Sequence, residues 1–241
     1  MADRGPRKTP LWQAISTALK ADISDGRYRE GEKLPTESEL AERFGVNRHT
    51  VRHALADLVA GGLVRTRRGA GAFVMARPTD YPIGRRVRFH QNLLAAGRMP
   101  DKKVLLVEHR PAPALAAEKL GMAAGEPVWI YHGLSLSDGQ PVALFQSYFP
   151  AWRFPEMGAV LTRVTSVTKA LAHYGVEDYV RETTRLSARA ADATQALHLG
   201  LSEGAPLLFS EGVNVDGEGR PVEFGQTWFA GDRITLTLGE G

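Results

Sequence analysis

Cysteine is absent from the 241-residue chain, which excludes disulfides, thiolate chemistry and cysteine-ligated zinc and fits a reducing cytoplasm. No apolar run approaches the ~18–20 residues that a membrane-spanning helix needs, so no membrane partner is expected. The first ten residues, MADRGPRKTP, carry charge and proline where a secretory leader has its apolar stretch. They read as a mobile basic arm. Otherwise 43% hydrophobic and 24% charged residues describe a globular chain with a real core, not a disordered tail or a fibre. The length allows one large domain or two small ones.

Charge is unevenly spread. Residues 1–77 hold 14 Lys/Arg against 9 Asp/Glu, whereas 78–241 hold 16 against 18. Five arginines and a single acid, Asp57, fall between Arg48 and Arg68. A basic N-terminal third on a mildly acidic remainder points to a polyanion-binding module joined to something else.

Apolar spacing supplies the elements of that module. Leu11, Trp12, Ile15, Leu19 and Ile23 recur at helical intervals and predict a helix over about 9–25, ending before Gly26. Thr36 with Glu39 three positions on is the capping-box pattern, opening a short helix that stops at Gly45. Asn47 caps a third helix whose stripe is Val51, Ala54, Leu55 and Leu58. Two short strands, LVRTR and AFVM, follow around Arg68-Gly69-Ala70-Gly71. This order is that of a winged helix-turn-helix over 1–76. ARPTDYPIG reads as a linker, placed at 77–84.

Residues 85–241 predict an α+β domain with an antiparallel sheet. A helix at 89–97 precedes a strand at KVLLVEHR, the short helix ALAAEKLG and a hairpin around Asp138-Gly139. A helix at 166–174 precedes strands at about 179–189, 206–215 and 221–229, with ADATQALHLG a helix between the first two. The two halves look loosely duplicated, each running helix, Gly, strand, Gly turn, Pro-Val, strand.

A helix-turn-helix sets the start of its second helix in the major groove. Here that start is Asn47, Arg48, His49, Thr50 and, one turn on, Arg52. Arg48 and Arg52 share a face at i, i+4 spacing, and arginine makes the bidentate guanine contact that lysine does not. Thr36, Ser38 and Thr50 are candidates for phosphate oxygens. In the wing, Arg65, Arg67 and Arg68 precede Gly69 at a tip that can press on the DNA backbone or minor groove. The partner expected is double-stranded operator DNA.

The stretch LPTESELAERFGVNRHTVRHALADLVAGGLVRTRRGAGAFV at 34–74 resembles the GntR family of bacterial repressors. Ser38 stands where many members carry an arginine. Residues 81–241 resemble the effector domain of the HutC branch of that family, which implies a chorismate-lyase-like fold. Phe89, DGQPVALFQSYFP and RPVEFGQTWFAGDR carry this likeness. The resemblance implies a homodimer and a small-molecule anionic effector. It implies that Arg88, Phe89 and His90 hold the effector's acidic group, that Ser166 and Thr168 form a polar pair at a helix start, and that Glu223 and Phe229 line the cavity. Gly133-Leu134-Ser135 replaces a frequent Arg-x-Arg, and Phe145 replaces a glutamate that commonly follows.

Arg86, Arg88 and Phe89, with Thr184, Arg185, Ser187, Ala188 and Arg189, look closest to phosphonate-utilisation regulators of that branch. A helix start near Phe89 with Arg85, Arg86 and Arg88 beside it suits an anion, and guanidinium forks match tetrahedral oxyanions. Strict alternation puts Arg181, Thr183, Arg185 and Arg189 on one strand face. A carboxylate such as urocanate is the other effector class, and a chorismate-lyase-type enzyme and a ligand-free DNA binder are the other function classes. His49 and His53 lack a third metal ligand and the glutamate of a zincin. Gly69-Ala70-Gly71 is not set between strand and helix as a phosphate loop is. No nucleophile elbow is present, so neither metal, cofactor nor catalytic residue is expected.

Overall fold

A computed structural model of the chain describes residues 10–67, 69–75, 78–84, 86 and 89–238, without the side chains of Arg67 and His90. The basic arm expected at 1–9 lies outside them. The chain divides into two compact units, 1–77 and 78–241.

Unit 1 is a winged helix-turn-helix. Helices α1 (Leu11–Ser24), α2 (Glu37–Phe44) and α3 (Arg48–Ala60) precede strands β1 (Val64–Arg67) and β2 (Gly71–Val74). The capping box at Thr36 and Glu39 is formed, and Gly45 ends α2 in the left-handed conformation. Asn47 Oδ1 accepts the Thr50 backbone N–H at 2.9 Å and so caps α3. Leu19, Leu40, Val51, Ala54 and Leu58 are fully buried together. The Ser16 hydroxyl donates to Asp57 at 2.6 Å, tying α1 to α3. The wing gains a third backbone partner from the turn before α2, where Leu34 N donates to Ala72 O and Val74 N to Glu32 O.

Unit 2 is an antiparallel sheet of six strands in the order β4-β5-β6-β9-β8-β7. These strands are β4 (Pro100–Pro111), β5 (Pro127–Ser137), β6 (Gln140–Pro150), β7 (Tyr179–Ala190), β8 (Pro206–Asp216) and β9 (Pro221–Ala230). The duplication in sequence is a duplication in space. The run β4, α5 (Ala114–Leu120), β5, β6 corresponds to β7, α8 (Ala193–Leu199), β8, β9, and the halves meet where β6 pairs with β9. Gln146 faces Gln226 in that ladder, so a pseudo-two-fold axis passes beside this pair. α5 and α8 cover one sheet face, packing on Val128, Ile130, Val213, Val215, Leu134 and Leu207. The other face carries α6 (Met157–Val164) and α7 (Val167–His173), seated on Tyr131, Phe145 and Phe149.

Two expectations need correcting. The segment 77–84 contains a strand, β3 (Thr79–Pro82), which pairs in parallel with β10 (Ile234–Thr237). Proline is tolerated there because a two-stranded ribbon leaves an edge free of ladder bonds. α6 was not foreseen, since its N-cap Glu156 makes no side-chain cap and Gly158 sits in its first turn. That glycine is required by packing: a Cβ on it would lie 2.4–2.9 Å from the Trp129 ring, which is pinned by its N–H to Pro155 O at 3.2 Å. Alanine gains about 1 kcal/mol of helix propensity against an overpacking cost of ~1–3 kcal/mol. Gly158→Ala is therefore expected to lower unfolding free energy by up to about 2 kcal/mol in a urea titration.

Candidate functional site

The exposed start of α3 gathers the side chains expected to read bases. Arg48 and His49 are exposed, and the Thr50 hydroxyl donates to Asn47 Oδ1 at 2.9 Å. Among the described residues Arg48 makes no hydrogen bond or ion pair. Arg52 is different: its Nε and an Nη donate to both Glu37 oxygens at 3.1 and 2.8 Å. The fork that sequence spacing offered to a base is occupied by α2, and Arg52 braces the two helices. Thr36 and Ser38 are exposed beside them, and Arg65 lies on β1. Gly69 takes φ +74° at the wing tip, a conformation that favours glycine. The expectations on Arg68 and on the Arg67 side chain fall outside the described residues.

Arg48→Ala is therefore expected to cost ~1–3 kcal/mol of discrimination at one base pair. Arg52→Ala should instead weaken binding with less change in base preference. Anisotropy titrations on single-base operator variants separate the two outcomes.

Unit 2 contains a cavity of about 430 Å³ on the α6–α7 face of the sheet. An aromatic wall forms one side, with Tyr81 5.9 Å from Phe89 and 5.4 Å from Phe229. The start of α7 contributes Ser166 and Thr168, and the Thr168 hydroxyl lies 2.9 Å from that of Tyr179. The sheet supplies Ser135, Phe145, Ser147, Asn214, Glu223 and Thr227. Glu223 is buried, and its two oxygens accept from Ser147 Oγ at 2.5 Å and Asn214 Nδ2 at 2.6 Å. Asn214 Oδ1 in turn accepts from Arg181 Nε at 2.7 Å.

Of the three cationic side chains that line this cavity, Lys102, Lys169 and Arg181, two stand on the sheet, Lys102 and Arg181. They are structural counterparts: Lys102 pairs with Ser135 on the next strand, and Arg181 pairs with Asn214 at the matching place in the other half. Neither makes an ion pair among the described residues. The Lys102 ammonium lies 4.9 Å over the Phe145 ring. Burial away from water pulls its pKa down to about 8, against the field of the Glu223 carboxylate.

A model of the UTRA domain matches residues 95–235, and a model described as bacterial regulatory proteins, gntR family, matches 11–74. The chain belongs to the GntR family. It is 42% identical over 229 residues to an HTH-type transcriptional regulator of Rhizobium meliloti (strain 1021), covering 95% of this chain and 94% of that one. It is 35% identical to the probable transcriptional regulator PhnF of Escherichia coli (strain K12), covering 94% of each chain. The crystal structure of PhnF from Mycobacterium smegmatis superposes with a TM-score of 0.64 at 27% identity, over 94% of this chain and 99% of that one. The protein is thus a GntR transcriptional regulator with a UTRA effector-binding domain, not an enzyme. GntR regulators bind operator DNA and take small-molecule effectors through the UTRA domain. No described helix is long and apolar enough to cross a membrane.

The UTRA cavity brings together Phe89, Ser135, Phe145, Ser166, Thr168, Glu223 and Phe229 of the residues expected from sequence. Arg88 and the His90 side chain lie outside the described residues. Arg86 does not line the cavity; it pairs with Asp178 at 2.6 Å on the surface. Arg185 is also elsewhere, 3.7 Å from Glu211 and largely exposed. The reason is a register shift in β7 between Arg181 and Thr183. An extra residue there breaks alternation, so Arg181 meets Asn214 on the cavity face while Arg185 falls on the opposite one. Lys102, Ser147, Asn214 and Thr227 were missed in the sequence. Matching β4 to β7 through the duplication was the signal that would have paired Lys102 with Arg181.

Proposed function

We propose that the protein is a homodimeric repressor whose operator affinity is set by a small anionic effector, of phosphonate or phosphate type, bound in the UTRA cavity. The observation that carries this is the pair Lys102 and Arg181 on the sheet floor of one cavity, neither of which has an ion-pair partner among the described residues, where buried charges are ordinarily paired. The hydroxyls of Ser135, Ser166 and Thr168 add donors suited to a tetrahedral oxyanion. A dimer fits a helix-turn-helix that reads paired half-sites. β3 supports a route for coupling, since Tyr81 and Ile83 line the cavity in the segment that follows unit 1 in the chain.

A thermal-shift screen of alkylphosphonates, phosphate monoesters and small carboxylates tests the reading. A tetrahedral oxyanion should raise Tm and change operator affinity. Stabilisation by carboxylates alone would replace the proposed effector class, and no response to any anion would remove the cavity assignment.

A further inference from the structure

The cavity is nearly two-fold, and the places where it departs from two-fold symmetry indicate which end of a ligand goes where. Lys102, Ser135 and Ala143 lie side by side across β4, β5 and β6. Their counterparts across β7, β8 and β9 are Arg181, Asn214 and Glu223. Cation answers cation and polar side chain answers polar side chain, but Glu223 stands where the other half has Ala143. A second departure lies two residues on, where Gly225 stands in place of Phe145. A Cβ at Gly225 would sit 3.6 Å from Glu223 Oε1 and 4.0 Å from Ser147 Oγ. At that place the second half therefore has a buried carboxylate where the first half has an alanine, and beside it a glycine whose missing side chain would stand in van der Waals contact with that carboxylate.

Glu223 is held at both oxygens but not paired with a cation. Ser147 and Asn214 give each oxygen one neutral donor, and among the described residues no cation stands within ion-pair distance of it. Each carboxylate oxygen can accept a further bond. Lys102 feels its field but sits over Phe145 in the other half.

Resting on the anionic-effector reading above, we propose that the UTRA cavity recognises a dipolar effector, with its oxyanion taken by Lys102 and Arg181 and a protonated amine taken by Glu223 beside Gly225. On the sheet floor of the cavity Lys102 and Arg181 stand against the buried Glu223, while Lys169 and Asp101 are exposed side chains of its lining, so the floor complements a ligand bearing an oxyanion and one ammonium group. Asn214 is a positioning residue here, since its amide holds Glu223 with one end and Arg181 with the other. An oxyanion without the amine leaves the carboxylate uncompensated; an amine without the oxyanion leaves the two cations so.

The test is calorimetric titration of the full-length protein with matched pairs: ethylphosphonate against 2-aminoethylphosphonate, and propylphosphonate against 3-aminopropylphosphonate. The expected result is that one amino compound binds about 10-fold or more tightly than its amine-free partner, the scale of one charge-assisted hydrogen bond. Glu223→Gln should erase that preference, the two members of the pair then binding within a factor of about two. Gly225→Ala, which keeps the carboxylate but fills the space beside it, should erase it as well. Equal or tighter binding of the amine-free compounds by the wild type overturns the dipolar reading and leaves the anion reading standing. Binding of no phosphonate of either kind overturns both. If Glu223→Gln does not fold, Gly225→Ala carries the decision, and a preference it leaves intact counts against the proposal.

Discussion

Lys102→Met and Arg181→Met should each abolish the response of operator binding to effector. Methionine keeps an apolar stem against Phe145 in the first case while removing the charge. The readout is the ratio of operator affinities with and without saturating effector, so any change in operator affinity itself cancels. A wild-type ratio of 100-fold corresponds to about 2.7 kcal/mol of coupling, and the variants should fall below about 3-fold. Loss of the response in only one variant would place the oxyanion at one end of the cavity. Retention in both would mean the effector binds elsewhere.

Asp216→Ala should be the most destabilising change in the UTRA domain outside its apolar core. Asp216 is buried at the β8–β9 turn, where it accepts from the backbone of Glu218 and Arg220 at 2.9 Å and from the Arg153 guanidinium. Arg153 also holds Pro221 O at 3.1 Å, closing the hairpin. Breaking a buried pair leaves the partner charge uncompensated, at a cost of ~3–5 kcal/mol. Burial opposes the Asp216 carboxylate, yet the Arg220 N–H, the Arg153 guanidinium and that of Arg220 outweigh it and hold its pKa well below the usual range. A lowered folded pKa means this stability is fully present above the unfolded value of about 3.9 and is lost as pH falls through the folded one. Urea midpoints of wild type should therefore fall below pH 4, and Asp216→Ala should flatten that part of the profile.

Elements with local signals were legible in the sequence and those set by tertiary contacts were not. The capping pairs Thr36–Glu39 and Asn47–Thr50 and the apolar stripes of α1 and α3 mark the DNA-binding unit in a stretch shorter than 80 residues. The hairpins of the UTRA sheet announce themselves by Gly turns and Pro-Val starts. α6 carries no cap, and β3 and β10 are four-residue strands whose pairing joins positions over 150 residues apart. The lining of the candidate cavity was half legible. Ser166, Thr168, Glu223 and Phe229 followed from motif position, but the extra residue in β7 that parts Arg181 from Arg185 leaves no trace in an alternating string such as RETTRLSAR. Arg52 shows the same limit at the DNA surface, because its partner Glu37 is on another helix.

Linkage offers the most direct test of the regulator itself. Effector affinity is measured by titration twice, on the free protein and on the protein saturated with operator DNA. If the cavity controls operator binding, the two dissociation constants differ by the same factor by which effector changes operator affinity, as reciprocity requires. Identical constants in the two titrations, for a phosphonate shown to bind the cavity, would contradict the account.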